Sequence, residues 1–261
     1  QKNNINSNQI VCGAGSDEII ALLTSSFASV GDEIIYSEYG FLMYPISAQR
    51  VGAKAIKVKE KNLKTDIEEI INAVNKKTKI IFIANPNNPT GSYLNKEEII
   101  KLVSNIPSNV LIVLDHAYQE FVEVDDFYDG LEIVNNYKNV VLTRTFSKIY
   151  GLASLRIGWS YSSQNIADIL NKARGPFNVS GPAQVSALAS LDDDDFTQAS
   201  KNHNTKWLKI LQNELSSINK IKIHPSIANF ILIDFLQNKN CEKVNQKLLE
   251  NLIIFREMKG Y

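Results

Sequence analysis

Short, nearly continuous apolar runs alternate along this chain with segments whose apolar positions recur at helical spacing. GDEIIYS (31–37), AKAIKVK (53–59), KIIFIANP (79–86), NVLIVLD (109–115) and NVVLTRTF (139–146) have the length of strands. Several lack the polar alternation of a half-exposed strand, as expected when helices cover both faces. Between them, 66–77 and 95–106 place acids early and lysines late, matching the helix dipole. The segment 16–31 reads as a helix closed by Gly31. This alternation predicts an α/β fold, a mostly parallel sheet flanked by helices. After GPAQVSALASL the acidic cluster Asp192–Asp195 marks a surface junction, followed by a long helix at 196–218. Beyond it KIKIH, ANFILIDF and NLIIFRE read as strands of a smaller α+β unit, with CEKVNQKLLENL as a helix between the last two. The pattern divides the chain into a large domain at 1–194 and a partial small C-terminal domain at 195–261.

Composition narrows the partners. The 261 residues balance 28 basic against 28 acidic side chains, so no charge excess points to nucleic acid or an anionic membrane. A small molecule or another protein is the expected partner. The two cysteines, Cys12 and Cys241, are far apart and without metal-type spacing, and no metal site is expected. A reduced, cytoplasmic compartment follows from that usage. No apolar run approaches the roughly 20 residues that span a bilayer.

The chemistry gathers just after the apolar strands. KIIFIA runs into Asn85-Pro86-Asn87-Asn88-Pro89-Thr90-Gly91, VLIVL into Asp115-His116-Ala117-Tyr118, and VVLTRTF into Ser147-Lys148. Ligands of open parallel sheets bind outside the carboxyl ends of the strands, so these groups are expected to share one crevice. A buried aspartate needs a partner to stay ionised, and Asp115 therefore calls for a cation. A lysine in a poorly solvated pocket near other positive charge becomes a nucleophilic amine able to condense with an aldehyde, which suits Lys148. GAGSDE, entering a helix at about Ser16, offers free N–H groups and a positive dipole end to an anion. Ser147 and Arg156 can complete a phosphate cradle. An aldehyde-seeking lysine, a carboxylate for a protonated ring nitrogen and a phosphate cradle together describe pyridoxal 5′-phosphate. Each feature also has a plain structural reading: Asp115 as a helix cap, NPNNPTG as only a turn, Phe41 as core, Arg156 as an ion-pair partner. The histidines His116, His203 and His224 share no spacing and read as structural or exposed.

The set GAGSDEIIALL, NPNNPTG, LDHAYQEF and RTFSKIYGLASLRIGW, in that order, resembles the fold type I pyridoxal-phosphate aminotransferases, and within them the histidinol-phosphate aminotransferases. The resemblance covers nearly the whole chain. It implies transamination of histidinol phosphate with 2-oxoglutarate in histidine biosynthesis, by a homodimer. Lys148 would be the Schiff-base lysine and proton-transfer base. Asn88 and Tyr118 would bond the cofactor's 3′-oxygen, and Asp115 would pair with the pyridine nitrogen. Backbone groups of Ser16 and Asp17, with Ser147 and Arg156, would hold the phosphate, and Thr145 stands near them. Phe41 would stack on the ring, and Arg256 would meet the substrate's phosphate.

The chain departs from the family pattern in two ways. His116 replaces the glutamate of the usual Asp-Glu-Ala-Tyr. Both termini are shorter than in family members, so the piece is expected to be truncated at both ends and poorly active by itself. The same scaffold also serves aromatic and other amino-acid aminotransferases and a phosphothreonine decarboxylase, and truncation would also allow an inactive relic. A nicotinamide-nucleotide binder, suggested by Gly13-Ala-Gly15, fails because Glu18 stands where GxGxxG needs its third glycine.

Overall fold

The structure, a computed structural model, describes residues 5–236 and 241–258. Its strands are β1 (Ile10–Gly13), β2 (Glu33–Ser37), β3 (Lys54–Val58), β4 (Glu60–Lys61), β5 (Lys64–Thr65), β6 (Thr78–Ala84), β7 (Leu111–Asp115), β8 (Val140–Thr145), β9 (Gly158–Ser162), β10 (Ile221–His224) and β11 (Leu232–Phe235). The helices are α1 (Ser16–Phe27), α2 (Met43–Arg50), α3 (Ile67–Ala73), α4 (Lys96–Asn105), α5 (Leu131–Asn136), α6 (Gln164–Ala173), α7 (Gly181–Asp192), α8 (Asp194–Ser216) and α9 (Cys241–Glu250).

Seven strands form one sheet in the order β1-β9-β8-β7-β6-β2-β3. The pairs from β8 to β3 are parallel, while β9 runs antiparallel to both β8 and β1. Every strand expected from the apolar runs of the large domain is present. Of the seven, two were not expected: β1 is only four residues long, and β9 is rich in small and polar residues; the two-residue strands β4 and β5 were not expected either. IGWS lacks the apolar continuity that marked the others.

One face of the sheet packs α1, α2 and α6 through Ile19, Ile20, Leu23, Tyr44, Ala48, Ala167 and Leu170. The other packs α3, α4 and α5 through Ile67, Ile70, Ile99, Leu102, Ile133 and Val134. The strands between them are buried on both sides, which explains their unbroken apolar runs.

Helix ends follow local polar groups. The N-cap Asn95 of α4 forms a reciprocal capping box with Glu98. The helix expected to close at Gly31 stops at Phe27, because the Asp32 carboxylate takes the N–H and hydroxyl of Ser29 and draws the chain into a loop. The helix expected to reach residue 77 stops at Ala73. There Asn75 and Thr78 bond the backbone N–H groups of Lys77 and Asn75 and form a turn instead.

Past α8, β10 and β11 form an antiparallel hairpin. The strand expected at NLIIFRE is not found. Residues 251–257 pair with no strand among the described residues, and Leu252 turns into the left-handed region at φ 60°. Apolar content alone does not make a strand where no neighbour offers a ladder. No helix of the described residues is long and apolar enough to cross a membrane.

Candidate active site

The C-terminal ends of β1, β6, β7 and β8 open on the same edge, and the loops leaving them bring the expected residues together. The segment from Thr145 to Trp159 folds back on itself. Thr145 of β8 faces Gly158 of β9, the Phe146 N–H donates to Ile157 O at 3.1 Å, and the Gly151 N–H donates to Lys148 O at 3.0 Å. Lys148 and Arg156 thus stand on the two limbs of one loop.

Gly158 also pairs with Gly13 of β1. A Cβ on Gly158 would collide with the Ser16 amide nitrogen and the Gly15 carbonyl carbon, so glycine there lets the N-terminus of α1 press against the sheet. Gly15, at φ 83°, is the second required glycine: a side chain there would occupy the space of the Arg156 guanidinium. Arg156 donates through Nη1 to Ser147 Oγ at 3.4 Å and to Ala153 O at 2.9 Å, and through Nη2 to Asp17 Oδ2 at 3.2 Å. Thr145 Oγ1 accepts the Ser147 N–H at 3.1 Å. The first-turn N–H groups of a helix, a guanidinium and a hydroxyl therefore converge around two obligatory glycines, a donor set that fits a phosphate.

Asp115 ends β7 and is 4% exposed. Its Oδ2 accepts Tyr44 Oη–H at 2.9 Å and its Oδ1 accepts Thr143 Oγ1–H at 3.1 Å. It does not cap a helix. Burial pushes its carboxyl up to about 6, against the hydrogen bonds from Tyr44 and Thr143. No cation pairs with Asp115 among the described residues; its charge acts on Lys148 at longer range. Burial lowers the Lys148 pKa below the ordinary lysine value; Asp115 and Asp17 oppose that shift, and Arg156 and Arg256 add to it. Lys148 Nζ lies 5.1 Å from the centre of the Tyr118 ring.

Asn88 Nδ2 donates to the Tyr118 hydroxyl at 3.2 Å, so the two side chains meet. Phe41, half-buried, stands edge-on to Tyr44 with ring centres 5.8 Å apart. Tyr44 in turn stacks on Phe82 at 4.7 Å. Arg256 is exposed and close enough for its charge to act on Lys148.

Two residues not singled out from the sequence, Tyr44 and Thr143, hold this arrangement together with others that were. Tyr44 is a fully buried aromatic of the short helix α2, and nothing in its local sequence marks it. Thr143 and Thr145 lie two apart on β8 and so share a face, a periodicity that marks them in hindsight. Glu18, in the position of the missing third glycine, accepts the Ala14 N–H at 2.6 Å and the Asn178 Nδ2 at 2.7 Å, bracing the glycine loop. His116, at the position of the usual glutamate, is fully buried and packs within reach of the Arg144 charge; burial drives its imidazole down to about 3.

A family model described as aminotransferase class I and II matches residues 1–259. The chain is 43% identical over 255 residues to a histidinol-phosphate aminotransferase of Rhodopseudomonas palustris (strain TIE-1), covering 97% of this chain and 70% of the relative. It is 42% identical over 259 residues to that of Paramagnetospirillum magneticum, covering 98% and 71%. Among solved structures, the histidinol-phosphate aminotransferase from Sinorhizobium meliloti in complex with pyridoxal-5′-phosphate superimposes with a TM-score of 0.87 at 26% identity, over 97% of this chain and 69% of that one. The enzyme of the same description from Clostridium acetobutylicum gives 0.87 at 27%, over 95% and 73%.

Proposed function

As the chain belongs to the class I and II aminotransferases, we propose that it is a pyridoxal-phosphate-dependent transaminase. Its reaction takes the amino group of L-histidinol phosphate to 2-oxoglutarate, yielding imidazole-acetol phosphate and glutamate. The observation that carries this reading is the meeting of Lys148, Asp115 and the Arg156–Ser147–Ser16 cradle at one edge of the sheet. The names of the relatives supply the substrate.

When bound, pyridoxal phosphate supplies an aldehyde that takes the amino group and a ring that withdraws electrons from the bond to be broken. The protein supplies the rest. Asp115, fixed by Tyr44 and Thr143, would accept a hydrogen bond from the protonated ring nitrogen, a cation that would favour its ionised form. Asn88 and Tyr118 would bond the 3′-oxygen, Phe41 would cover a face of the ring, and Arg156, Ser147 and the N–H groups of Ser16 and Asp17 would hold the phosphate.

Lys148 would be the amine that condenses with the cofactor's aldehyde and, once the substrate amine has taken its place, the base whose Nζ holds the proton taken from the substrate's α-carbon. Burial favours the neutral amine that both steps need. Arg256 would meet the phosphate of the amino donor, a role supported by its charge acting on Lys148.

The same reading carries a boundary at 194/195, a homodimer and a cytoplasmic setting. Support for the boundary is that α8 begins on the acidic cluster, capped by Asp193. Support for the dimer is the family resemblance together with the exposed Val185 and Leu188 of α7. Reducing the pyridoxal-phosphate-loaded protein with borohydride and mapping the adduct tests the site: the label belongs on Lys148. A panel of histidinol phosphate, phenylalanine and tyrosine as amino donors tests the substrate, and turnover with either amino acid above that with histidinol phosphate would sink the assignment.

A further inference from the structure

A carboxylate outside the site joins two of the loops that form it. Glu60, half-buried on the short β4–β5 ribbon, accepts three hydrogen bonds on Oε1. One comes from the Ser37 hydroxyl at the end of β2. A second comes from the Tyr39 N–H at 3.3 Å, and a third from Asn87 Nδ2 at 3.3 Å. Asn87, 1% exposed, also donates to Tyr39 O at 3.3 Å and to Thr90 Oγ1 at 3.0 Å. Its own backbone is pinned, with N–H donating to Ser92 O at 2.7 Å and O accepting the Gly91 N–H at 2.8 Å. Thr65, opposite Glu60 on the ribbon, donates to Ser37 Oγ at 3.2 Å and closes the network.

Tyr39 is therefore held at both backbone atoms, its N–H by Glu60 and its C=O by Asn87. Two residues beyond Tyr39 stands Phe41, and one beyond Asn87 stands Asn88. We infer that Glu60 is a positioning residue for the cofactor ring: its carboxylate ties the Tyr39–Phe41 turn to the Asn87–Asn88 turn and so sets the spacing between the aromatic side chain at the ring's face and the amide at its 3′-oxygen. The inference rests on the reading of the site given above. Three donors on one oxygen is the arrangement that secures a poorly solvated carboxylate. Desolvation nonetheless keeps the Glu60 pKa raised.

Titrating cofactor-free protein with pyridoxal phosphate, together with hydrogen exchange of residues 37–42 before any cofactor is added, tests this. Glu60→Ala should weaken cofactor binding by about tenfold, about the worth of one hydrogen bond to a charged group, and should speed exchange of the Tyr39 amide. Glu60→Asp keeps the charge but is one methylene too short to span both turns, and should do the same; it serves if the alanine variant does not fold. Glu60→Gln, which retains an acceptor oxygen without the charge, should fall between the aspartate variant and the parent. If the aspartate variant binds the cofactor within twofold of the parent while only its melting temperature falls, Glu60 is merely structural and the inference is overturned. If the parent protein itself takes up no pyridoxal phosphate, the underlying reading fails and the inference with it.

Discussion

The hydroxyl of Tyr44 reaches across from α2 to donate to Asp115 Oδ2 at 2.9 Å, while its ring lies parallel to that of Phe82 with centres 4.7 Å apart. One side chain thus serves the core with its ring and the site with its oxygen, the usual division of labour of a buried tyrosine.

Tyr44→Phe separates the two roles. The phenyl ring keeps the stack, and Asp115 loses one of the donors that hold its carboxylate ionised. A hydrogen bond to a charged group contributes about 1.5–3 kcal/mol, so cofactor affinity should fall by about tenfold or more with little change in melting temperature. Thr143→Val should act alike on Oδ1, and the double variant should bind more weakly than either. Equilibrium titration with pyridoxal phosphate checks all three.

Lys148→Ala should remove the borohydride-fixed adduct and reduce turnover by about 10²–10⁴-fold, the usual worth of a positioned proton-transfer group. Lys148→Arg keeps a cation near Asp115 yet stays protonated, so it should be equally inactive. Measured kcat for the two variants distinguishes loss of charge from loss of a nucleophilic amine.

Arg156 bonds Ser147 and Asp17 at once through separate nitrogens. A lysine offers a single point charge in place of that fork. In Arg156→Lys, pyridoxal phosphate should bind about tenfold more weakly, the equivalent of roughly 1.4 kcal/mol. Inorganic phosphate should compete with the cofactor for the parent and compete less well for the variant. Competition titrations at fixed ionic strength read both effects.

Behind the sheet, His116 and Glu120 set opposing pH dependences for the cofactor-free protein. Burial, with the Arg144 charge beside it, holds His116 down at about 3 against the ordinary imidazole value of 6.5, and hydrogen bonds with Gln119 and Asp129 oppose the shift. The unfolded chain therefore binds its proton more readily, and stability is lost as pH falls from about 6.5 towards 3. Glu120, half-buried with Oε2 fully enclosed, is raised to about 7 from 4.5 by burial, against the pull of Arg144. Here the folded state holds the proton more tightly, so its contribution is present below about 4.5 and is lost as pH rises to about 7. Urea midpoints across this range should show Glu120→Gln abolishing the decline on the neutral side. His116→Gln should abolish the decline on the acid side.

The large-domain strands were legible because strands buried on both faces must be apolar throughout, and the site residues because polar or charged groups stood at or just after the ends of such runs. Lys148, Asp115, Asn88 and Arg156 could be picked out one by one for that reason. Their convergence is a matter of register: Asp115 faces Thr143 across β7–β8, and Gly158 lies between Thr145 and Gly13 across β8–β9–β1. No local pattern encodes those pairings. Tyr44, Glu60 and Asn87 were invisible for the same reason, since a core aromatic, a ribbon carboxylate and a turn amide look ordinary until a partner distant in the chain accepts or donates. The segment at 251–257 erred in the other direction: its apolar residues promised a strand, and only the tertiary structure decides whether a neighbouring strand is there to pair with it. Residue types determined which chemistry the chain can perform, and long-range pairing decided which groups act together, because a hydrogen bond or an ion pair depends on distance in space and not along the chain.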